Sequence, residues 1–447
     1  MKWLNSYPEN VRQSIIIPKI TMVDKLLEAL EQSPDTIAVI DKNRSVSYKQ
    51  LGEEIFRLAQ ALRSRGIEKG DRVGLMLRNS VEYVISYYAC LVIGAIIVQN
   101  NPQYTKRELY YQLNSTGAQA LIIEHELYDQ FDDLHEVTQV QFVLVNGEHQ
   151  KAISLQSVIQ STKPLKETVS LNSEDIAVIQ FTGGTTGVSK GAMLTHYNIY
   201  ANVEQTHELL GVYARNGKQV LLNVLPLFHV YGMTVSMNYM IFLQSTLIWQ
   251  SEFDVKETLD IIQQKKVTMF PGTPTIYVAI TNYKDLQDYD LTSIHTCISG
   301  SAPLPVEVKN HFESITGAKV VDAYGLSEAS PVVTSNPVNG VRKPGSIGIP
   351  IPNTLCKIVS FDGTRECPLY EPGELIVKGP QVMKGYWNMP EETANALKNG
   401  WLYTGDVAYM DEDGYIFLVS RKKDVIISGG YNVYPREVEE VIFQHPA

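Results

Sequence analysis

Apolar positions along the chain follow two patterns, the 3.6-residue period of helices and the short apolar or alternating runs of strands. Between residues 21 and 145, amphipathic helical stretches alternate with short runs rich in β-branched residues. Several helical stretches begin at a capping signature, such as Ser47 with Gln50 and Thr105 with Glu108. Alternation of this kind favours mostly parallel sheets covered by helices on both faces, so the sequence predicts an α/β fold.

The same patterns give bounds for the predicted elements. Helices are predicted at residues 21–33, 47–65, 81–94, 105–117, 231–243 and 254–264, and strands at 36–40, 72–77, 95–98, 120–123, 141–145, 176–181, 220–225, 246–249, 267–270, 294–299 and 319–322. The polar segment 151–173 is predicted as a connection only. The apolar stretch 81–98 carries Glu82 and is broken by Gly94, so it is predicted as a buried helix and strand rather than a membrane span.

The pattern changes near Arg342. From there to Ser420, short alternating strands are separated by turns rich in glycine and proline, such as residues 343–348 and 371–373. This part of the sequence predicts a small β-barrel or distorted sheet packed beside the α/β layers.

Composition narrows the function classes. With 44% hydrophobic and 19% charged residues, the 447-residue chain has the composition of a globular protein, and its length predicts two or more domains. A formal net charge of −11 without a Lys/Arg block argues against nucleic-acid binding. The four cysteines lack metal or disulfide spacing and the N-terminus lacks a signal-peptide core, so a reducing cytoplasm is predicted.

Residues 182–191 read TGGTTGVSKG and follow a predicted buried strand. Glycines let backbone N–H groups approach an anion, hydroxyls add donors and Lys190 adds a positive charge, so this loop suits a phosphate group. Its spacing differs from that of Walker A, because Val188 and Ser189 separate Gly187 from Lys190. Taken alone, the segment is also compatible with a flexible surface loop.

Five further segments carry candidate chemistry, although each also has an ordinary structural interpretation. Tyr324 to Glu328 offers an aromatic face, a hydroxyl and a carboxylate, which suit a base, a phosphate and a divalent metal. Tyr403 to Asp406 is predicted at a turn into the next strand, and Arg421 to Asp424 is a short charge run. His229 lies at a strand-to-helix junction, and residues 299–304 form the loop SGSAPL.

Together these motifs resemble those of the acyl-adenylate-forming superfamily, which includes acyl-CoA synthetases, peptide-synthetase adenylation domains and firefly luciferase. They occur in the family's order over nearly the whole chain, with Ser327 in place of the family's threonine. Residues 182–190, 379–383 and 424–435 look most like the fatty-acyl branch, the bacterial long-chain fatty-acid–CoA ligases. The resemblance implies a large domain at 1–420, with the β-rich subdomain 342–420, and the start of a small α+β lid domain at 421–447.

The resemblance also implies roles for individual residues. Binding of ATP and AMP is implied for Thr182, Gly183, Gly184, Thr185, Thr186, Gly187, Lys190, Gly300, Ser301, Ala302, Asp322, Ala323, Tyr324, Gly325, Ser327, Asp406 and Arg421. Catalysis is implied for Lys190, Thr185, Glu328 and His229, and Mg²⁺ binding for Glu328 and Thr185. Candidates for the acyl pocket, each of which also suits a core, are His229, Tyr231, Met233, Met237, Val332 and Val333. Lys423 matches the hinge that precedes the lid.

The implied reaction has two halves. A fatty carboxylate attacks the α-phosphorus of ATP and expels pyrophosphate, and the thiol of coenzyme A then displaces AMP from the acyl-adenylate. Because carboxylate and triphosphate repel each other, the first half needs charge neutralisation and alignment more than acid–base chemistry. Lys190 and a Mg²⁺ held near Glu328 would supply both.

One departure from the family concerns the lid, because only residues 422–447 follow Arg421 and the catalytic lid lysine has no counterpart in the sequence. A chain shortened in this way is expected to bind nucleotide but to be impaired in chemistry. Two alternatives stay open: a related ligase that uses an aryl or other acid or a carrier protein, and a non-catalytic nucleotide- or acyl-binding module. Contact with the inner membrane face and a homodimer are left open as well.

Overall fold

The structure of the chain is a computed structural model. It describes all residues except 1, 43, 183–188, 211–216, 251, 423, 425, 429–430 and 434–447, and it describes the strands 426–428 and 431–433 by their backbone alone. Among these residues the chain forms one seven-stranded and two four-stranded sheets connected by helices, and also a five-stranded antiparallel sheet. The predicted α/β fold class is therefore confirmed.

The largest sheet contains the hairpin that brackets the glycine-rich loop. In the described part of the chain its strand order is Ile153–Ser154, Phe142–Asn146, Ala120–Glu124, Arg72–Met76, Ile96–Gln99, Ile176–Thr182 and Lys190–Thr195. All neighbours run parallel except the last two strands, which form an antiparallel hairpin. The strand Ile153–Ser154 and the helix Leu155–Ser161 show that the prediction of a plain connection at 151–173 is wrong.

Two smaller sheets each have four strands among the described residues, and one of them begins with the first two strands of the chain. Their strand orders are Val220–Asn223, Thr246–Trp249, Ile37–Ile40 and Ser45–Ser47, and Thr296–Ser299, Lys319–Gly325, Val332–Ser335 and Ile349–Pro350. Single bridges join Met269 to Leu221 and to Thr296 and so connect the two sheets. The predicted strand at 267–270 is reduced to these bridges and forms no strand of its own.

The β-rich region forms one antiparallel sheet. Its strands in the described residues are Leu355–Val359, Gly373–Lys378, Leu397–Lys398, Trp401–Met410 and Ile416–Arg421. A short hairpin, Ile426–Ser428 with Tyr431–Val433, follows it. The helix Pro390–Ala396 lies within this region, where the sequence pattern predicts only strands.

Helices connect most of the strands, and those that the sequence predicts are present within a few residues of their predicted bounds. The α-helices are Met22–Gln32, Tyr48–Ser64, Val81–Val92, Lys106–Thr116, His125–Tyr128, Leu134–Val137, Leu155–Ser161, His196–Leu210, Tyr239–Phe242, Val255–Lys265, Pro274–Thr281, Val306–Thr316 and Pro390–Ala396. Short 3₁₀ helices are Lys2–Ser6, Asp129–Phe131, Leu286–Asp288 and Ser327–Ala329. The predicted helix 231–243 begins instead as a π-helix, Gly232–Asn238.

Local signals account for well-placed helices such as Lys106–Thr116. The hydroxyl of Thr105 accepts the backbone N–H of Glu108, the Glu108 carboxylate accepts that of Thr105, and Gly117 ends the helix at a φ of 62°. The helix Val81–Val92 is buried at every position except Glu82. In the described part of the chain, no helix combines the length and the apolar character that crossing a membrane requires.

Candidate active site

The glycine-rich loop is held between the two strands of the hairpin. Thr182 ends one strand, Lys190 begins the other, and the two residues are register partners. The hydroxyl of Ser189 donates to the carbonyl of Thr182 at 2.8 Å, and that of Tyr111 donates to the carbonyl of Ser189 at 3.1 Å. Both ends of the loop are thus fixed by the sheet and by Tyr111. The predicted residues between them lie outside the described residues: Gly183, Gly184, Thr185, Thr186 and Gly187.

Lys190 is mostly buried, and its charge is satisfied by a distant segment. The ammonium forms an ion pair with the carboxylate of Glu392, and the Lys190 side chain is 16% exposed. The same ammonium lies 5.4 Å from the centre of the Tyr386 ring, within the range of a cation–π contact. The backbone supports this arrangement, because Trp387 donates its N–H to the carbonyl of Gly191 at 2.8 Å.

Glu328 contacts the same segment as Lys190. The hydroxyl of Tyr386 donates to Glu328 Oε1 at 2.8 Å, and the N–H of Met383 donates to the Glu328 carbonyl at 2.8 Å. Burial is the main cause of a raised pKa at the Tyr386 hydroxyl, with the nearby Glu328 charge adding to it, so this hydroxyl stays a donor. Two predicted site residues from separate motifs, Lys190 and Glu328, therefore meet at one tyrosine.

Asp406 lies in the middle of the strand Trp401–Met410, so the prediction of a turn at this position is wrong. The cause is Gly405, whose φ of 74° lets the strand kink without ending. The hydroxyl of Tyr324 donates to Asp406 Oδ2 at 2.6 Å, and the guanidinium of Arg421 lies 3.3 Å from Oδ1. Burial raises the pKa of the Asp406 carboxyl, while Tyr324 and Arg421 oppose that shift. Asp406 and Arg421, the predicted ribose contacts, thus form one cluster with Tyr324.

Glu374 is a buried carboxylate that contacts the residues next to this cluster. The sequence pattern does not single it out. It is 6% exposed, accepts the N–H of Gly405 at 3.2 Å and pairs with the ammonium of Lys422 at 2.7 Å. Gly405 precedes Asp406 and Lys422 follows Arg421, so Glu374 ties the two strands that carry the ribose residues. Lys423, the predicted hinge, lies outside the described residues.

The loop 300–302 follows a strand that runs parallel to Lys319–Gly325, the strand that carries Tyr324. Ser299 and Asp322 are register partners, so Gly300 and Ala323 leave neighbouring strand positions. The Asp322 carboxylate pairs with the ammonium of Lys309 at 2.7 Å. Gly325 leaves no room for a side chain, because a Cβ there would lie 2.3 Å from the carbonyl oxygen of Pro331. Ser327 begins the 3₁₀ helix Ser327–Ala329, and Ser301 has a left-handed backbone with a φ of 73°.

His229 lies at the protein surface rather than in the core. Its side chain is exposed, and the amide of Gln180 donates to the preceding carbonyl, that of Phe228, at 3.1 Å. Desolvation by the surrounding protein lowers the pKa of the imidazole. Tyr231, two residues on, is buried and donates its hydroxyl to the carbonyl of Ile298 at 2.8 Å.

The remaining residues of the predicted acyl pocket lie in the main hydrophobic core. They are between 0% and 7% exposed: Met233, Met237, Val332 and Val333. Gly300 lies against Tyr231, because a Cβ at this position would lie 3.0 Å from its ring. One predicted nucleotide residue and one predicted acyl-pocket residue are therefore neighbours.

Tyr386 and Glu392 are site residues that the sequence reasoning missed. A signal for Glu392 exists, because Pro390 followed by two glutamates is typical of the first turn of a helix. Nothing in the local sequence, however, indicates that this helix meets Lys190, which lies 202 residues earlier in the chain.

Comparison with known proteins gives a consistent result. A family model described as AMP-binding enzyme matches residues 26–387. A long-chain-fatty-acid–CoA ligase of Bacillus subtilis is 44% identical, with 100% of this chain and 84% of the relative covered. A crystal structure of an anthranilate CoA ligase with anthranoyl-AMP is 26% identical with a TM-score of 0.89, covering 96% of this chain and 83% of that one. A crystal structure of a long-chain-fatty-acid–CoA ligase from Archaeoglobus fulgidus is 27% identical with a TM-score of 0.84, covering 99% and 90%.

Proposed function

Because the chain belongs to the AMP-binding enzyme family, we propose that the cleft lined by Lys190, Glu328 and Asp406 is where it activates its acid. The chain is an AMP-forming acid–thiol ligase that converts a fatty acid with ATP into an acyl-adenylate and then into an acyl-CoA thioester. The single observation that carries the choice of a fatty acid is the 44% identity over the whole chain to a long-chain-fatty-acid–CoA ligase. This identity favours a fatty acid over an aryl acid and catalysis over mere binding.

In this proposal the nucleotide lies across the two clusters of the cleft. Asp406 and Arg421 hold the ribose, since a carboxylate can accept hydrogen bonds from two hydroxyls. Tyr324 fixes the Asp406 carboxylate and turns its ring towards the base. Gly300, Ser301 and Ala302, which follow the register pair of Ser299 with Asp322, would contact the base from the other side together with Ala323.

Lys190 and the loop that precedes it would hold the phosphates. The ammonium neutralises part of the charge that repels the incoming carboxylate, and it stabilises the charge that develops as pyrophosphate leaves. The carboxylate attacks the α-phosphorus as the bond to the pyrophosphate oxygen breaks, so no proton transfer is required. His229, on the cleft surface next to buried Tyr231, would face the acid and separate it from solvent.

The residues present fit a Mg²⁺ ion that arrives with ATP rather than one held by the protein alone. Within the described residues no group of three or more His, Cys, Asp or Glu side chains could hold a metal, whereas Mg²⁺ at phosphate sites typically takes one or two carboxylates plus phosphate oxygens. Glu328 can offer one carboxylate, with Tyr386 fixing one of its oxygens. When bound, Mg²⁺ would supply charge stabilisation and alignment of the triphosphate. Thr185, the other proposed ligand, lies outside the described residues.

The domain division, location and assembly are also proposals. We propose a large domain at 1–420, which includes the β-rich subdomain 342–420, and a lid that begins at 421. The Glu374–Lys422 pair supports this division, because it anchors the chain one residue before Lys423. Four unpaired cysteine thiols support a cytoplasmic location. A homodimer and a contact with the inner membrane face stay predictions.

Lys190→Met tests the proposed phosphate contact. We expect the dissociation constant of Mg·ATP to rise about tenfold, since a charge-assisted contact contributes roughly 1.5–3 kcal/mol. The affinity for AMP should change much less, because AMP lacks the two phosphates nearest the loop. Calorimetric titration of both nucleotides measures the difference. Lys384→Met, which removes an exposed lysine close to Tyr386 in sequence, is the control. Equal ATP affinities for the two variants would remove Lys190 from the phosphate site.

A further inference from the structure

Lys190, the proposed phosphate-binding lysine, forms an ion pair with the carboxylate of Glu392. The Lys190 side chain is 16% exposed and that of Glu392 is 40% exposed, so Lys190 lies mostly inside the protein while Glu392 lies partly in solvent. A mostly buried ammonium needs an anionic partner, and here the partner is a carboxylate of the protein itself. Glu392 therefore takes the place at the Lys190 ammonium that the proposed function gives to a phosphate oxygen.

The segment that carries Glu392 is firmly attached to the rest of the site. Thr393, the next residue, accepts the backbone N–H of Tyr386 through its hydroxyl at 2.9 Å. Tyr386 in turn contacts Lys190 with its ring and Glu328 with its hydroxyl. Glu392 thus lies at a defined position relative to both residues that the proposed function assigns to the triphosphate. Its own carboxylate is half-exposed and can swing into solvent when a stronger anion arrives.

We propose that Glu392 competes with phosphate for the Lys190 ammonium, so that its carboxylate is displaced from Lys190 by the polyphosphate of ATP or by pyrophosphate. This proposal rests on the proposed function, since it requires Lys190 to bind phosphate. Binding of ATP exchanges one ion pair for another, so part of the attraction between Lys190 and the triphosphate is cancelled. The same exchange favours release of pyrophosphate, because Glu392 is available to take the ammonium back. Glu392 is accordingly a positioning residue that acts through Lys190.

Glu392→Gln is expected to bind polyphosphate more tightly than the parent protein. The dissociation constants of Mg·ATP and Mg·pyrophosphate should fall about fivefold, the scale of one partly exposed ion pair, while that of AMP stays unchanged. Calorimetric titration without fatty acid measures all three. A merely structural role for Glu392 would weaken all three ligands alike, so a selective gain separates the two explanations. The matched control is Glu391→Gln, which removes the same charge from the neighbouring, exposed position of the same helix.

The double variant Lys190→Met with Glu392→Gln tests whether Glu392 acts through Lys190. In the Lys190→Met background the Glu392 substitution should have no further effect on ATP affinity, because the ammonium for which Glu392 and the triphosphate compete is absent. A fivefold gain that persists in this background, an equal gain for Glu391→Gln, or no gain for Glu392→Gln would each overturn the proposal. If Lys190→Met alone left ATP affinity unchanged, the proposed function of Lys190 would fail first, and the two failures are thereby distinguished.

Discussion

Glu328→Gln is expected to lower the rate of acid-dependent ATP–pyrophosphate exchange about a hundredfold. The substitution keeps the size of the side chain and its acceptor for the Tyr386 hydroxyl, but it removes the charge that would hold Mg²⁺ on the triphosphate. Metal-ion stabilisation of a phosphoryl transition state contributes several kcal/mol, and each 1.4 kcal/mol is about a factor of ten in rate. Affinity for AMP should survive, because AMP binding in this account depends on Asp406.

Tyr386→Phe is the matched control for this experiment. It removes the hydrogen bond to Glu328 and keeps the carboxylate, so its exchange rate should fall far less. A higher Mg²⁺ concentration should partly restore the Glu328→Gln variant if the lost charge is a metal ligand. Exchange at the parent rate in Glu328→Gln would remove this residue from the mechanism, and equal losses in both variants would assign the effect to the hydrogen bond.

Asp406→Ala is expected to weaken AMP and ATP alike, by about a hundredfold. Both nucleotides carry the ribose that Asp406 is proposed to bind, and loss of charge-assisted hydrogen bonds to two hydroxyls amounts to roughly 3 kcal/mol. The substitution also leaves the Tyr324 hydroxyl and the Arg421 guanidinium without their shared acceptor. Equilibrium titration of AMP and Mg·ATP measures both constants.

The control for Asp406 is Asp35→Ala, which removes an equal charge at an exposed turn. The raised pKa of Asp406 gives a second check, since affinity should fall as the pH is lowered towards that pKa and the carboxylate is protonated. An AMP dissociation constant equal to that of the parent would show that Asp406 does not hold the ribose. A loss confined to ATP would place Asp406 at the phosphates instead.

Much of the fold follows from signals that are local in the sequence. The capping box at Thr105 and the left-handed Gly117 fix a helix from both ends, and the β-branched run at Ile176–Thr182 forms the predicted strand. Such signals involve residues within four positions of each other, so they need no knowledge of the fold. The hairpin around the glycine-rich loop could be predicted in the same way only as far as its first strand.

The features that escaped prediction depend on distant residues. Asp after Gly is typical of turns and therefore predicts a turn at Asp406, whereas pairing with Gly373–Lys378 and Ile416–Arg421 keeps the strand continuous. The helix Pro390–Ala396 is too short for a clear helical period. The contact of Glu392 with Lys190 joins residues 202 positions apart, and that of Tyr324 with Asp406 joins residues 82 positions apart. No local pattern encodes such contacts.

The most direct test of fatty-acid activation is ATP–pyrophosphate exchange by the 447-residue chain with a panel of acids, followed by product analysis with coenzyme A. Whatever its absolute rate, exchange should depend on a fatty acid such as palmitate or octanoate, and acyl-CoA, AMP and pyrophosphate should form in equal amounts when coenzyme A is added. An aryl acid should support far less exchange. Exchange no faster with fatty acids than without acid, formation of ADP, or a preference for the aryl acid would contradict fatty-acid activation.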